Sequence, residues 1–198
     1  MVLRDLRSTL VSLVVATLVL GLGLPALFTG FAQVAFNNKA NGSLIERDGT
    51  VVGSRLAAQG FTSLRYFHER PSATTPPYNA GATTFANLGP TSKDLAKDVR
   101  RRIAAILKLE KPYVAGLTVH DIPVDAVTTS GSGIDPDISP AYAALQSHRI
   151  AAVRHLPLGT VERLIRQSTD GRSLGFLGEP GVNVLDLNLA LDRLGGGR

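Results

Sequence analysis

The chain has 198 residues, with no cysteine, no tryptophan and only 6% aromatic residues. The lack of cysteine excludes disulfide bonds, thiolate metal sites and a cysteine nucleophile. The formal net charge of +5 at pH 7 is well below the basic excess that a nucleic-acid-binding surface usually carries.

An uncharged segment near the N-terminus predicts a transmembrane helix. No charged residue occurs between Ser8 and Asn38, and the mostly apolar stretch Leu10–Gln33 contains seven leucines and four valines. As a helix this stretch would rise about 36 Å, enough to cross a hydrocarbon core of about 30 Å. The expected order is a cytoplasmic tail at residues 1–9, a membrane helix at 10–33, a linker at 34–42 and a soluble domain at 43–198.

Two alternatives to a membrane helix stay open at this point. A cleaved signal peptide would explain Arg4 and Arg7, with small residues for cleavage around Gly30 and Ala32, but the apolar stretch is too long for one. A buried core helix is less favoured because no face of the segment is polar. The basic residues on the two sides do not decide the orientation. The short tail favours a cytoplasmic N-terminus and an extracytoplasmic domain in a single-pass protein of the inner membrane.

Small residues within the predicted helix define a possible packing face. Gly21, Gly23, Ala26 and Gly30 would leave a groove in which another membrane helix can approach closely. Pro25 should interrupt one backbone hydrogen bond. The competing interpretation is that glycine and proline are simply more common in membrane helices.

The remaining residues predict a single α+β domain. The Asp48-Gly49 pair favours a two-residue hairpin turn, and Ser139 followed by Pro140 is a typical helix start. In chain order the patterns predict a hairpin at 43–53, a long loop at 71–90, a helix starting at Thr91, a strand at 118–127, a loop at 128–139, helices at 140–154 and 160–168, a strand at 174–177 and a helix within 182–194. The apolar face of the first of these helices should consist of Leu95, Val99, Ile103, Ile106 and Leu107.

A search for catalytic or metal-binding constellations gives little. His68-Glu69 begins like a zinc-protease helix motif, but Ser72 stands where the second histidine is required and Pro71 would break the helix. His148 and His155 have no carboxylate nearby in sequence and are interpreted as surface residues. No phosphate-binding glycine-rich motif occurs.

Two weaker signals lie in the 128–139 loop. Ser132 sits between two glycines, as in a nucleophile elbow, but Ser130 stands where that motif needs glycine and Pro136 interrupts the helix that should follow. Asp135 and Asp137 could contact a cation, although carboxylates beside prolines are more often part of a capped turn. No metal site and no catalytic residue are therefore predicted.

Several long loop motifs, in order and spacing, resemble the KdpC family, the C subunits of bacterial Kdp potassium-transporting ATPases. These motifs are Asn41–Ile45, Tyr66–Ala73, Tyr78-Asn79, Asn87–Pro90, Pro123–Asp125, Ser130–Pro136, Ile138–Pro140, Gly171-Arg172, Gly178–Pro180 and Val182–Asp192. Departures from the family pattern occur at 83–86, Thr129 and Gly181, and they put contacts made by those positions in doubt.

The resemblance implies an accessory, non-catalytic subunit of a high-affinity potassium uptake system. Its partners would be a potassium-channel-like subunit, a P-type ATPase subunit and a small membrane subunit, together with membrane lipid. Subunits of this family are described as catalytic chaperones that raise the ATP affinity of the ATPase subunit. No cofactor is expected on this chain itself, and any ATP association would run through the ATPase subunit.

The resemblance also implies candidate contact residues. Candidates for nucleotide affinity or partner contact are Ser130, Ser132, Asp135, Ser139 and Gln146. Candidates for partner-facing loops are Tyr66, His68, Arg70, Tyr78, Asn79 and Asn87. An extracytoplasmic domain cannot touch cytoplasmic ATP, so an effect on ATP affinity would be relayed through partners, at about 1–3 kcal/mol of coupling. If the domain faces the cytoplasm, direct contact through the 130–139 loop and Gln146 is the alternative. Competing hypotheses are a membrane-tethered serine hydrolase using Ser132 and a structural extracytoplasmic anchor unrelated to ion transport.

Overall fold

The structure, a computed structural model, describes residues 2–194. These residues divide into two compact units, with the boundary between Leu44 and Ile45. The first unit is a long apolar helix and the second is the soluble domain.

The first unit is built from one helix with a change of winding in its middle. Helix α1 (Val2–Ala16) continues into a π-helical segment (Thr17–Gly23) and then into α2 (Leu24–Ala35). The stretch that could cross a membrane runs over Leu3–Ala35, 33 residues, with none of its side chains buried. The helix is therefore longer at both ends than the segment predicted from apolar residues alone.

The π-helical segment in the middle of this helix is explained by Pro25. Proline has no amide hydrogen, and its ring would collide with the carbonyl four residues earlier in a regular α-helix. The chain responds with a π-helical segment, in which Leu24 N donates to Val19 O, five residues back. The predicted disturbance at Pro25 therefore takes the form of a π-helical insertion.

Amide side chains organise the end of the helix. Phe36 leaves the helical conformation (φ −137°, ψ 39°), and a short helix α3 (Asn37–Ala40) follows. Gln33 Oε1 accepts hydrogen bonds from Asn37 Nδ2 at 3.2 Å and Asn41 Nδ2 at 3.1 Å. Polar groups thus replace the apolar sequence at the point where the chain leaves the helix.

The soluble domain mixes helices with two small antiparallel sheets, which confirms the α+β prediction. Its elements are β1 (Leu44–Arg47), β2 (Thr50–Ser54), α4 (Lys93–Glu110), α5 (Val124–Val127), β3 (Asp137–Ile138), α6 (Pro140–Arg154), α7 (Leu158–Gln167), β4 (Thr169–Asp170), β5 (Gly181–Asn183) and α8 (Val184–Leu194). Strands β1 and β2 form a hairpin, and β5 lies between β3 and β4 in a three-stranded sheet. The predicted hairpin turn is confirmed, with positive φ angles of 52° at Asp48 and 76° at Gly49.

The core surrounds α6, which packs against α4 and α7. The predicted start of α6 is confirmed, since Ser139 Oγ accepts a hydrogen bond from Tyr142 N at 3.0 Å and Pro140 is its first residue. The predicted apolar face of α4 is confirmed at four of its five residues, with Ile106 buried and Val99, Ile103 and Leu107 packed against the core. The fifth, Leu95, lines a surface cleft. The cap of α4 is Ser92 and not Thr91.

Two predicted strands are wrong. Residues 118–127 form a 3-10 turn (Val119–Asp121) and the helix α5. Asp121 Oδ2 accepts hydrogen bonds from Thr118 N and Thr118 Oγ1 at 2.8 and 2.7 Å, which favours a turn over an extended strand. The second strand, predicted at 174–177, is a tight turn closed by a single bridge between Ser173 and Leu177.

Candidate functional site

The 128–139 loop separates two surface clefts of the soluble domain. The first cleft has a volume of about 510 Å³, and its lining includes Arg70, Asp125, Asp135 and Ser139. The second has a volume of about 350 Å³ and is lined in part by Asn87 and Ser130. Three of the five candidates for nucleotide or partner contact therefore line these clefts, namely Ser130, Asp135 and Ser139, together with Arg70 and Asn87. Ser132 belongs to the same loop but lines neither cleft.

Short-range side-chain hydrogen bonds build this loop. Ser130 Oγ accepts from Gly133 N at 2.9 Å, Ser132 Oγ from Ile134 N at 3.2 Å, and Asp135 Oδ1 from Asp137 N at 3.1 Å. Such bonds to the backbone two or three residues ahead are typical of Ser and Asp in turns. Ser130 is buried and Ser132 is exposed.

An ion pair and a hydrogen-bonded carboxylate line the first cleft. Arg70 Nη1 donates to Asp135 Oδ2 at 3.0 Å. Ser139 N and Oγ donate to the two carboxylate oxygens of Asp125 at 2.7 and 2.9 Å, which fixes the start of α6 against α5. Burial is the main cause that raises the pKa of Asp137, partly opposed by a hydrogen bond from Asn183. With Glu179 also in its lining, the cleft has more carboxylates than cations.

Gln146 lies elsewhere, inside the core, and lines neither cleft. Its Nε2 donates to His68 O at 3.0 Å and its Oε1 accepts from His68 N at 2.8 Å. Asn188 of α8 binds the adjacent Phe67 in the same way, at 2.8 and 3.0 Å. The buried side-chain amides of Gln146 on α6 and Asn188 on α8 thus form hydrogen bonds with the backbone of the irregular segment 66–68, as a neighbouring strand would.

An ion pair in the core completes this arrangement. Arg149 Nε donates to Glu110 Oε1 at 2.9 Å, and both side chains are almost fully buried, at 0% and 1% exposure. Arg149 Nη1 also donates to the carbonyls of Leu64 and Tyr66, and Nη2 to Gln146 Oε1. Sequence reasoning missed Glu110, Arg149 and Asn188. The sequence did contain a signal, because each of these polar residues occupies a core-facing position in the pattern of its helix, α4, α6 or α8.

The partner-facing candidates in the 66–79 segment also have structural partners. Tyr66 Oη donates to Asp192 Oδ2 at 3.0 Å, and the Arg154 guanidinium lies 4.9 Å from the centre of its ring. Ser72 Oγ accepts from Tyr78 N at 2.9 Å, and Thr74 Oγ1 accepts from Asn79 N at 2.9 Å. The Tyr66 bond ties the segment before the loop to α8, whereas the bonds of Ser72 and Thr74 fold the predicted long loop at 71–90 onto itself.

Glu69, beside His68, is a buried carboxylate that organises the preceding loop. It accepts hydrogen bonds from the backbone amides of Gln59, Gly60 and Phe61 at 2.7–3.1 Å. Burial raises the pKa of Glu69, and the three amide bonds oppose this rise. This role was also missed, because residues 59–69 show no periodicity.

His68 should make the stability of the domain depend on pH. Burial lowers its pKa below the usual 6.5, and the nearby charge of Arg149 lowers it further. The unfolded chain therefore binds a proton first as the pH falls. The neutral imidazole therefore contributes to the free energy of unfolding, and this contribution is fully present above pH 6.5. It is lost as the pH falls through the lower pKa that His68 has in the folded state.

Replacing His68 by Gln tests this expectation, since the glutamine amide can replace the bond between His68 Nε2 and Ser63 O. The free energy of unfolding should fall more steeply for the wild type than for His68→Gln as the pH is lowered below 6.5. Urea denaturation at a series of pH values measures both slopes. His155→Gln, at an exposed position of α6's C-terminal end, is the matched control and should follow the wild type. Equal slopes for wild type and His68→Gln would contradict the assignment.

The geometry gives no support to a hydrolytic role for Ser132. Among the hydrogen bonds of residues 2–194, the one that Ser132 Oγ makes is with Ile134 N. His68 pairs with Ser63 O, and His148 and His155 are exposed, as predicted.

The candidate packing residues of the N-terminal helix fall into two groups. Gly21 and Gly23 lie in the π-helical segment, and Ala26 and Gly30 lie four apart on one face of α2. A methyl group added at Gly30 would meet no atom within 4 Å. The face around Gly30 is therefore bare within the chain's first unit and open to another helix.

Comparisons with known proteins agree with the loop motifs. The model of the family described as "KdpC: K+-transporting ATPase, c chain" matches residues 6–193. A "Potassium-transporting ATPase KdpC subunit" of Methylobacterium nodulans is 50% identical over 98% of this chain and 99% of its own length. Subunits of the same description from Methylococcus capsulatus and Mycobacterium bovis are each 49% identical, over 97% and 96% of this chain and 99% of their own lengths. On this likeness over nearly its whole length, the chain belongs to the KdpC family of potassium-transporting ATPase subunits.

Proposed function

We propose that this chain is the accessory, non-catalytic subunit that holds a Kdp potassium pump together and raises the ATP affinity of its P-type ATPase subunit. The observation that carries the proposal is the family match over residues 6–193, in a chain whose long apolar helix at Leu3–Ala35 has no buried side chain. An apolar helix without buried side chains is suited to contacts with lipid and with other membrane subunits.

The proposed orientation places the N-terminus in the cytoplasm and the soluble domain outside. The domain then has no access to cytoplasmic ATP, so its effect on ATP affinity is relayed by the channel-like and ATPase subunits. Reciprocal coupling of this kind amounts to about 1–3 kcal/mol, or a change of about 5–150-fold in apparent affinity. The two clefts beside the 128–139 loop are then sites for contact with a partner subunit.

Removing the chain from an otherwise intact pump tests the function. ATP-driven potassium uptake in proteoliposomes should be lost, and ATP binding by the remaining complex should weaken within the range given above. Adding back the purified chain should restore both. Normal uptake by a complex that lacks the chain would contradict the proposal.

Protease treatment of intact spheroplasts tests the orientation. Cleavage of the soluble domain from outside supports an effect relayed through the membrane subunits. Protection of the domain in spheroplasts, with cleavage only after lysis, would place it in the cytoplasm and favour direct contact between the 128–139 loop and the nucleotide.

The bare face of α2 leads to a prediction about assembly. Gly30→Leu should leave membrane insertion unchanged, because leucine favours the hydrocarbon phase. It should weaken association with a partner helix by about 1–3 kcal/mol, the usual cost of forcing a larger side chain into a close contact. The yield of the other subunits that co-purify with the chain measures this loss. Phe28→Leu, on the other side of the helix, is the control, and equal yields for both variants would contradict a specific role for the face.

A further inference from the structure

A turn in the soluble domain presents three large apolar side chains to solvent. Leu174, Phe176 and Leu177 are 83%, 69% and 50% exposed. They lie in the turn closed by the Ser173–Leu177 bridge, between β4 and β5. We call these three residues the apolar tip. Such exposure of neighbouring large side chains is unusual for a domain that contacts only water.

The backbone of the turn does not favour leucine at position 174. Leu174 has a φ of 54° and Gly175 a φ of 82°. Asn and Gly adopt this left-handed region readily, whereas a bulky side chain there is strained. Stability of the turn therefore gives no reason for leucine at position 174.

The charges next to the tip are already paired. Arg172 Nη2 donates to Glu179 Oε2 at 2.8 Å, and no charged residue occurs between these two positions. The tip can therefore leave water without burying an unpaired charge, which would be costly.

We propose that the apolar tip inserts into the interfacial layer of the lipid bilayer that holds the chain's own helix. Leucine and phenylalanine are the residue types that anchor interfacial segments. Only eight residues, 36–43, separate the helix from β1, so the covalent link keeps the bilayer at a high effective concentration. Three side chains offer far less area than the roughly 800 Å² per partner that a stable protein interface buries, but they are enough for contact with a membrane to which the chain is already tethered. This lipid contact is independent of the proposed effect on ATP affinity.

The lack of tryptophan in the chain allows a direct test with a single reporter. Full-length Phe176→Trp is reconstituted into phosphatidylcholine bilayers with and without bromine on the acyl chains. Brominated lipid should remove most of the tryptophan emission, and the emission should lie at shorter wavelength than in unfolded protein. Leu177→Trp is a second reporter with the same expected result, should the first variant not fold. Phe85→Trp, 57% exposed in the 71–90 loop, is the matched control and should keep its emission.

Leu174→Asn in the Phe176→Trp chain separates lipid contact from folding. Asparagine fits the left-handed backbone at this position, so the urea midpoint should stay equal or rise, while quenching by brominated lipid should fall. Reporters that are quenched no more than Phe85→Trp would overturn the proposal. A shift to shorter wavelength that appears only after the other pump subunits are added, without quenching by brominated lipid, would also overturn it and would assign the tip to a pocket in a protein.

Discussion

Replacing Arg149 by Met should lower the free energy of unfolding of the soluble domain by about 3–5 kcal/mol, the usual loss when one partner of a buried ion pair is removed. Arg149 is fully buried and donates to Glu110, to two backbone carbonyls and to Gln146. Methionine fills much of the space but donates no hydrogen bond. The 64–66 segment and the Glu110 carboxylate would both lose their partner.

The loss should depend on pH, because Glu110 would be left buried without a cation. Burial already raises the pKa of Glu110, and the charge of Arg149 opposes this rise. Without Arg149 the folded-state pKa should rise further. A carboxyl group whose pKa is higher in the folded state stabilises the fold when the pH is below its pKa in the unfolded state. This stabilisation is lost as the pH rises through the pKa of the folded state. The deficit of Arg149→Met should therefore be largest near neutral pH and smaller in acid.

Equilibrium urea denaturation of the full chain in mild detergent, followed by circular dichroism, measures this effect. Arg101→Met is the control, since Arg101 is 72% exposed and its pair with Asp98 is screened by water. It should change the stability by less than about 0.5 kcal/mol. Adding Glu110→Leu to Arg149→Met should recover part of the loss, because it removes the unpaired carboxylate. An unchanged urea midpoint for Arg149→Met would show that the core does not depend on this pair.

Local sequence signals predicted the parts of the fold that are stabilised locally. The Asp48-Gly49 turn needs two positive φ angles, and Ser139-Pro140 provides a cap and a fixed φ for α6, so these elements can be read from a few residues. The prediction of a strand at 118–127 failed because the apolar pattern of these residues resembles a strand, whereas the hydrogen bonds from Thr118 to Asp121 stabilise a turn. A local capping interaction outweighed the pattern.

The 55–92 region could not be predicted in detail for a different reason. It contains no helix or strand, and its segment 66–68 is held by side chains distant in sequence. Gln146 and Asn188 are 78 and 121 residues from their partners. Such contacts leave no periodic pattern in the segment that they hold. The 128–139 loop was found as a candidate site because its serines, glycines and aspartates form turns locally. The core position of Gln146 followed only from the packing of α6.

The second large effect is expected at Gly133, where the 128–139 loop meets the 71–90 loop. Its φ is +73°, and a Cβ atom there would lie 2.6 Å from Thr84 O and 2.8 Å from Thr74 Cγ2. Ser72 Oγ also donates to Gly133 O at 2.6 Å, and Thr84 N donates to Ser132 O at 3.1 Å. The left-handed conformation alone costs an alanine about 1–2 kcal/mol. The clash with a backbone oxygen adds to this cost, because a carbonyl held in a loop cannot turn away as a flexible side chain can.

Gly133→Ala should therefore lower the free energy of unfolding by at least about 2 kcal/mol and loosen the junction between the two loops. Limited proteolysis should then cut the 71–90 loop faster than in the wild type, which a uniform loss of helix stability would not cause at that place. Gly131→Ala is the matched control two residues away, where an added Cβ meets no atom within 4 Å and φ is not in the left-handed region. It should leave stability and cleavage unchanged. If both variants behave alike, the junction at Gly133 does not hold the 71–90 loop in place. The second cleft is lined by Asn87 from the 71–90 loop and Ser130 from the 128–139 loop. Its shape would then not depend on the junction at Gly133.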